Sequence, residues 1–241
     1  MNILMIDTSG PACGVAVMKD GQIICEMQLT SGKTHSQRVM PMVDQALSMC
    51  EMGICDVELF GAVVGPGSFT GVRIGVSSVK ALAHAANKPC IGVNALEALA
   101  ANVSGFEGVI CPILDARAQQ VYGAMFESGM PPRRLMQDEA QKLTLFLDRV
   151  EATGKNALFL GDGAAAFEST IRERLGEKAH FAPAQHTGLR AASACALAHE
   201  YAKDETNLRD CMTLLPLYLR APQAERERAA KLAAQKENGN G

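Results

Sequence analysis

The residues best placed by type and spacing for chemistry are Gly65-Pro66-Gly67-Ser68-Phe69-Thr70-Gly71, which follow the apolar run LFGAVVG and open an apolar helix pattern. Glycines there permit left-handed backbone and close approach, and a helix N-terminus favours anions, so two readings stand: a structural turn and a phosphate site. The usual templates fail. No Lys follows, as a P-loop requires. Thr70 stands where a dinucleotide fingerprint needs its last glycine. Pro66 and Thr70 flank Ser68 where an esterase elbow has glycines, which leaves a Ser68 hydrolase without a local signature.

Two acids form a second constellation. Asp7 ends the apolar run NILMID, and Asp115 ends GVICPILD 108 residues later. In a duplicated fold they would face each other across a cleft, as in phosphotransferases that manage Mg²⁺ and phosphate. The competing reading is an Asx turn that caps a hairpin. Asp7-Thr8-Ser9 leaves room for phosphate. Asp115-Ala116-Arg117 lacks the hydroxyl and glycine of such a loop. The five histidines make no H-x-x-x-H pair, and the eight cysteines are scattered without a C-x-x-C, so no metal ligand set and no catalytic group is expected.

The elements that must position these residues follow from periodicity. NILMID, VAVMKDG and IICEMQL are three short strands with turn residues between them, an antiparallel opening. A helix follows over SGKTHSQRVMPMVDQALSMC, with Ser36 or Thr34 available as its cap and Pro41 near its first turn. Then come a buried strand, the glycine turn, the helix TGVRIGVSSVKALAHAANK, the strand CIGVNAL and the helix start LEALAANV. The second half begins alike with GVICPILD, the turn ARAQQ and VYGAMFESG. Without a gap, Gly21 falls on Gly129 and Ala16 on Ala124, and later LFLGDGAAAFE has the strand, Gly-x-Gly, helix layout of VVGPGSFT. The chain therefore reads as a duplicated α/β fold. A late helix over 188–203 carries Leu189, Ala192, Cys195, Ala196 and His199 on one stripe.

Two helices are over-apolar. Gly71, Gly75, Ser78, Ala81 and Ala85 form a small-residue stripe, while Val72, Val76, Val79, Ala83 and Ala86 form a second apolar face. The first helix has Met40, Met42, Leu47 and Met49 beyond its stripe of Val39, Val43, Ala46 and Cys50. A helix apolar on two faces is buried on two faces, by its own chain or by another protein.

Formal net charge is −3, which argues against a free-standing nucleic-acid binder. No apolar run approaches the ~20 residues of a membrane span. The N-terminus lacks a signal-peptide pattern, and the cysteine usage fits a reducing cytoplasm.

In order, ILMIDTS, THSQRVMP, VVGPGSFTGVRIGVSSVKALA, IGVNALEALA, LDARAQQVYGAMF and LPLYLR resemble the bacterial TsaB family, also called YeaZ. The resemblance implies two actin-like (ASKHA, RNase H-like) subdomains, each a mixed sheet flanked by helices. It divides the chain into residues 1–104, a smaller subdomain 105–220 whose helix 188–203 packs back on the first, and a flexible charged tail 221–241. It also implies a non-catalytic subunit of the complex that forms N6-threonylcarbamoyladenosine at position 37 of tRNA. Such a subunit would bind and stabilise a TsaD-type catalytic subunit, with a TsaE-type ATPase joining the complex, and would meet tRNA only through it. It would have no cofactor of its own, with ATP used by the complex.

The partner surface expected from the family's first two helices comprises Val39, Met40, Val43, Leu47, Gly71, Arg73, Ile74, Gly75, Ser78 and Ala81, with homodimer formation through the same helices as an alternative. Asp7, Thr8, Ser9 and Asp115 are the nucleotide-facing candidates. Gln37 stands where the family commonly has Glu, and Ala118-Gln119-Gln120 replace a common Arg-Gly-Glu, which removes those side chains from any role. The residue-level rival is a sugar or small-molecule kinase of the same architecture.

Overall fold

A computed structural model describes residues 1–31 and 34–220. The tail expected at 221–241 lies outside the described residues. In chain order the first half runs β1 (Ile3–Asp7), β2 (Cys13–Lys19), β3 (Gln22–Leu29), α1 (Val39–Met49), β4 (Leu59–Gly65), α2 (Phe69–Ala86), β5 (Cys90–Asn94) and α3 (Ala95–Ala100). The second half runs β6 (Val109–Asp115), β7 (Gln120–Glu127), β8 (Arg133–Lys142), α4 (Leu143–Ala152), β9 (Ala157–Leu160), α5 (Asp162–Ala166), α6 (Glu168–Leu175), β10 (Ala179–Phe181), α7 (Ala184–Thr187) and α8 (Ala191–Tyr201).

Each half is a five-stranded mixed sheet. The orders β3-β2-β1-β4-β5 and β8-β7-β6-β9-β10 are the same order repeated. In each, two antiparallel hairpin partners sit beside a strand that also pairs in parallel with the fourth. The fold is α/β, two actin-like subdomains with helices on the sheet faces.

The central strands of each sheet are covered on both faces and are apolar, whereas the edge strands β3 and β8 are largely exposed and more polar. Leu4 and Ile6 of β1 face α1 and α2, whereas Ile3 and Met5 face a central layer of α3 and α8. The same central layer meets Ile110, Leu114 and Phe126 of the second sheet, whose outer face is covered by Phe146, Leu147 and Val150 of α4. Helix α8 lies against β1, β2 and β3 of the first sheet.

Several expectations need correction. α1 starts at Val39, after a separate 3-10 turn at His35–Gln37, and neither Thr34 nor Ser36 caps it. Pro41 is its third residue, where no intrahelical N–H bond is lost. Met42 and Leu47 are core residues, each 6% exposed. The buried face of α8 is Ala191, Ala194, Cys195 and Ala198, with Leu197, rather than a stripe through Ala192, Ala196 and His199, because two layers enclose the helix. Ala95 begins α3, since Asn94 Oδ1 accepts from the Leu96 and Glu97 amides and ends the strand there.

The repeat is real in topology but not ungapped. Met5 pairs with Ala16, while its counterpart Ile113 pairs with Gly123, so the second hairpin is one residue shorter. The turn that closes it holds Arg117, Ala118 and Gln119 at φ of 63°, 52° and 59°. Its strand, Gly-x-Gly, helix unit is also cut short: α2 has 18 residues, α5 only five.

Candidate functional site

The glycine turn is shaped by the strand beside it. Ser68 N–H donates to the Ser9 carbonyl at 2.7 Å. Thr8 Oγ1 donates to the Gly71 carbonyl at 2.7 Å, and both Thr8 and Ser9 are buried. A Cβ at Gly67 would lie 2.4 Å from the Ser9 carbonyl oxygen, and one at Gly71 would lie 2.0 Å from that of Thr8. At Gly75 it would meet Thr8 Oγ1 at 2.6 Å. The turn and the start of α2 therefore need glycine because β1 runs into them. Ser68 caps α2 by accepting from the Gly71 amide at 3.2 Å.

That packing divides the small-residue stripe of α2. Gly71 and Gly75 face Thr8 rather than another helix. Val39, Val43 and Leu47 are likewise buried in the chain's own core with Leu4, Ile6 and Val76. Of the ten residues expected at a partner surface, Met40, Arg73 and Ala81 are exposed, and Ile74 and Ser78 are half-buried.

The two acids do not face each other. Asp7 is 2% exposed and accepts from the Ser9 amide at 2.8 Å and the Ser9 hydroxyl at 2.7 Å, an Asx turn. Burial pushes its carboxyl above the ordinary carboxylate range, against the pull of the Ser9 bonds and of His35. Asp115 lies on a cleft of about 630 Å³ between the halves, and Asp7 does not line it. The acid beside Asp115 is Asp162, from the same half: its Oδ1 accepts from the Asp115 amide at 3.0 Å. Burial raises the Asp162 carboxyl, and the charge of Asp115 adds to that. Sequence reasoning missed Asp162, although an acid inside Gly161-Asp162-Gly163 at a helix start was the available signal. Among the described residues no three His, Cys, Asp or Glu side chains gather as metal ligands.

The segment LPLYLR belongs to a longer strap that returns to the first half. Arg209 and Cys90 exchange backbone bonds, both 2.8 Å, and Lys80 Nζ donates to the Met212 and Leu214 carbonyls at 3.2 Å. Leu217 N–H donates to the Val64 carbonyl at 2.7 Å, and Arg220 reaches across the cleft to the Ala116 carbonyl at 3.1 Å. Leu217, Tyr218, Leu219 and Arg220 thereby form one wall of the cleft. Beyond the strap, α2 turns Thr70, Arg73, Ser77, Ala81, His84 and Ala85 to the surface, without one acid along the helix. Met40 and Met49 of neighbouring α1 are 43% and 71% exposed.

Duplicated halves of this strand order around a cleft, with a buried Asx turn where two facing acids were expected, define an actin-like protein whose helix α2 turns an acid-free face outward. The comparisons resolve the family. The family model described as TsaD, tRNA N6-adenosine threonylcarbamoyltransferase, matches residues 28–228. A Bacillus subtilis protein named tRNA threonylcarbamoyladenosine biosynthesis protein TsaB is 35% identical over 93% of this chain and 96% of its own. The Escherichia coli protein of that name is 37% identical over 53% of this chain and 55% of its own. The solved YeaZ from Pseudomonas aeruginosa superposes with a TM-score of 0.75 at 25% identity, over 90% of this chain and 99% of that one. The chain belongs to the TsaB (YeaZ) family, within the wider group that the TsaD description covers.

Proposed function

We propose that this chain is a non-catalytic subunit of the complex forming N6-threonylcarbamoyladenosine at position 37 of tRNA, and that it binds and stabilises a TsaD-type catalytic subunit. The observation that carries this reading is the outward face of α2. Ile74, Ser77, Ser78, Ala81 and Ala85 present a small uncharged stripe beside exposed Met40 and Met49 of α1. A solvent-facing helix normally carries charges there, and small residues let a second helix approach closely.

In this reading ATP is used by the complex through a TsaE-type ATPase, and the chain holds no cofactor. It meets tRNA only through its partners, and it works in the cytoplasm. The buried Asx turn at Asp7 supports a cleft without its own chemistry, because a carboxylate closed off by Ser9 has no access to a substrate in the cleft. Self-association through α1 and α2 would compete with the heteromeric contact.

The test is titration calorimetry and size exclusion with a purified TsaD-type subunit. The wild-type chain should form a complex, and Ala81→Glu should weaken it at least roughly tenfold, about 1.4 kcal/mol, with the thermal midpoint of the free chain unchanged. Ala81 is a cleaner probe than Gly75, where any side chain strikes Thr8 Oγ1. No complex with the wild-type chain would defeat the assignment.

A further inference from the structure

Arg73 is the one basic side chain on the outward face of α2 that the strap fixes by its side chain. Its guanidinium carbon lies 3.9 Å from the centroid of the Phe69 ring, one turn earlier on the same helix. Its Nε donates to the Tyr218 hydroxyl at 2.8 Å, and the Tyr218 ring stacks on Phe69 with centroids 4.6 Å apart. The exposed group is thus held by a ring face on one side and by the strap, 145 residues away, on another. Among the described residues it enters no ion pair.

With Nε engaged, the edge formed by the two terminal nitrogens is the part of the guanidinium left for a ligand. That edge matches a carboxylate through two parallel N–H bonds. A free surface arginine loses much rotamer freedom when it is captured, and here part of that loss has already occurred on folding.

We propose that Arg73, set by Phe69 and Tyr218, is a carboxylate clamp for the catalytic partner; this rests on the assignment of that partner to the α1–α2 face. Charge complementarity selects the occupant. Ile74, Ser77, Ser78 and Ala81 around and beyond Arg73 on α2 are neutral, and the next cation, Lys80, is engaged with two strap carbonyls. A nucleic-acid surface needs a row of cations along the phosphates. One oriented guanidinium in a neutral field fits one acidic side chain on a helix that packs against the stripe. Tyr218 is a positioning residue, which couples the strap to the docking face.

Calorimetry against the TsaD-type subunit at two salt concentrations, with the full chain, tests this. Arg73→Ala should weaken binding by roughly tenfold or more and flatten the salt dependence. Arg73→Lys should lose nearly as much, since an ammonium lacks the two-pronged edge. Tyr218→Phe should cost a few-fold, and the double variant should bind no worse than Arg73→Ala alone.

The clamp is overturned if Arg73→Ala binds within about twofold of wild type while Ala81→Glu weakens the complex, because the helix would then dock without it. It is also overturned if Arg73→Ala reduces self-association or RNA binding of the isolated chain and leaves the heteromeric affinity intact. A wild-type chain that does not bind the partner sinks the clamp together with the assignment beneath it. An unchanged circular dichroism melt shows that the surface variants are folded.

Discussion

At the residue scale, single contacts decide what α2 offers to the outside. Thr8 closes over Gly71 and Gly75 and removes two of the expected interface residues from reach. Gly75→Ala should therefore destabilise the free chain by ~1–3 kcal/mol, the usual cost of overpacking a tight site, as read from urea denaturation midpoints. Ala81, six residues further along and exposed, should tolerate the same kind of change with no measurable loss. Asp7 supplies a pH signature. Burial raises its folded-state carboxyl above the unfolded value, so the folded chain binds a proton more tightly than the unfolded one. Stability then falls as pH rises through that window. Asp7→Asn keeps an oxygen acceptor for Ser9 and removes the titration. The stability of wild type relative to this variant should decline as pH rises above the ordinary carboxylate range, and a difference that stays flat would contradict the burial account.

At the scale of elements, the strap is what the two hairpin-and-helix units do not supply themselves. Leu214 is 3% exposed in the core shared with α2, and the backbone either side of it is tied to Lys80 and Val64. Leu214→Ala should cost about 2–5 kcal/mol and speed amide exchange at Leu217, which donates to the Val64 carbonyl. If exchange at Leu217 stayed slow, the strap would be held by other bonds. The sheets resist such local loosening, because each strand in their centres is paired on both sides and buried on both faces.

At the scale of the whole molecule, a polar latch joins the halves on the side of α3. Asn94 Nδ2 donates to Asp138, which also accepts from Arg134, and Arg134 lies 3.7 Å from Glu97. Arg134 also covers the Phe126 ring at 4.5 Å. The Asp138 and Glu97 side chains are only 10% and 16% exposed. Removing their cation leaves two poorly solvated acids, so Arg134→Ala should cost ~3 kcal/mol. It should also let the halves separate at α3, readable as a rise in radius of gyration by small-angle scattering. The same stability loss without expansion would place the role of Arg134 within β8 alone.

Much of this architecture was legible in the chain. Three short apolar runs broken by Asp-Gly and Gly-Pro pairs specify the antiparallel opening. The long apolar period of residues 69–86 specifies α2, and the offset between Asp7 and Asp115 exposes the duplication. The site was less legible. Asp115 lines the cleft, but Asp7 is turned inward and Asp162 takes the neighbouring place. The small stripe of α2 split between an inner part under Thr8 and an outer part at the surface.

Local pattern determined which residues avoid water and which turns need glycine, since period and backbone freedom are properties of neighbouring residues. Only the tertiary structure decided what covers each apolar face. Coverage by β1, by the strap or by another protein removes the same area from water and leaves the same periodicity in the sequence. The pairing of Arg73 with Tyr218 spans 145 residues and depends on where the strap lands, which no local spacing encodes.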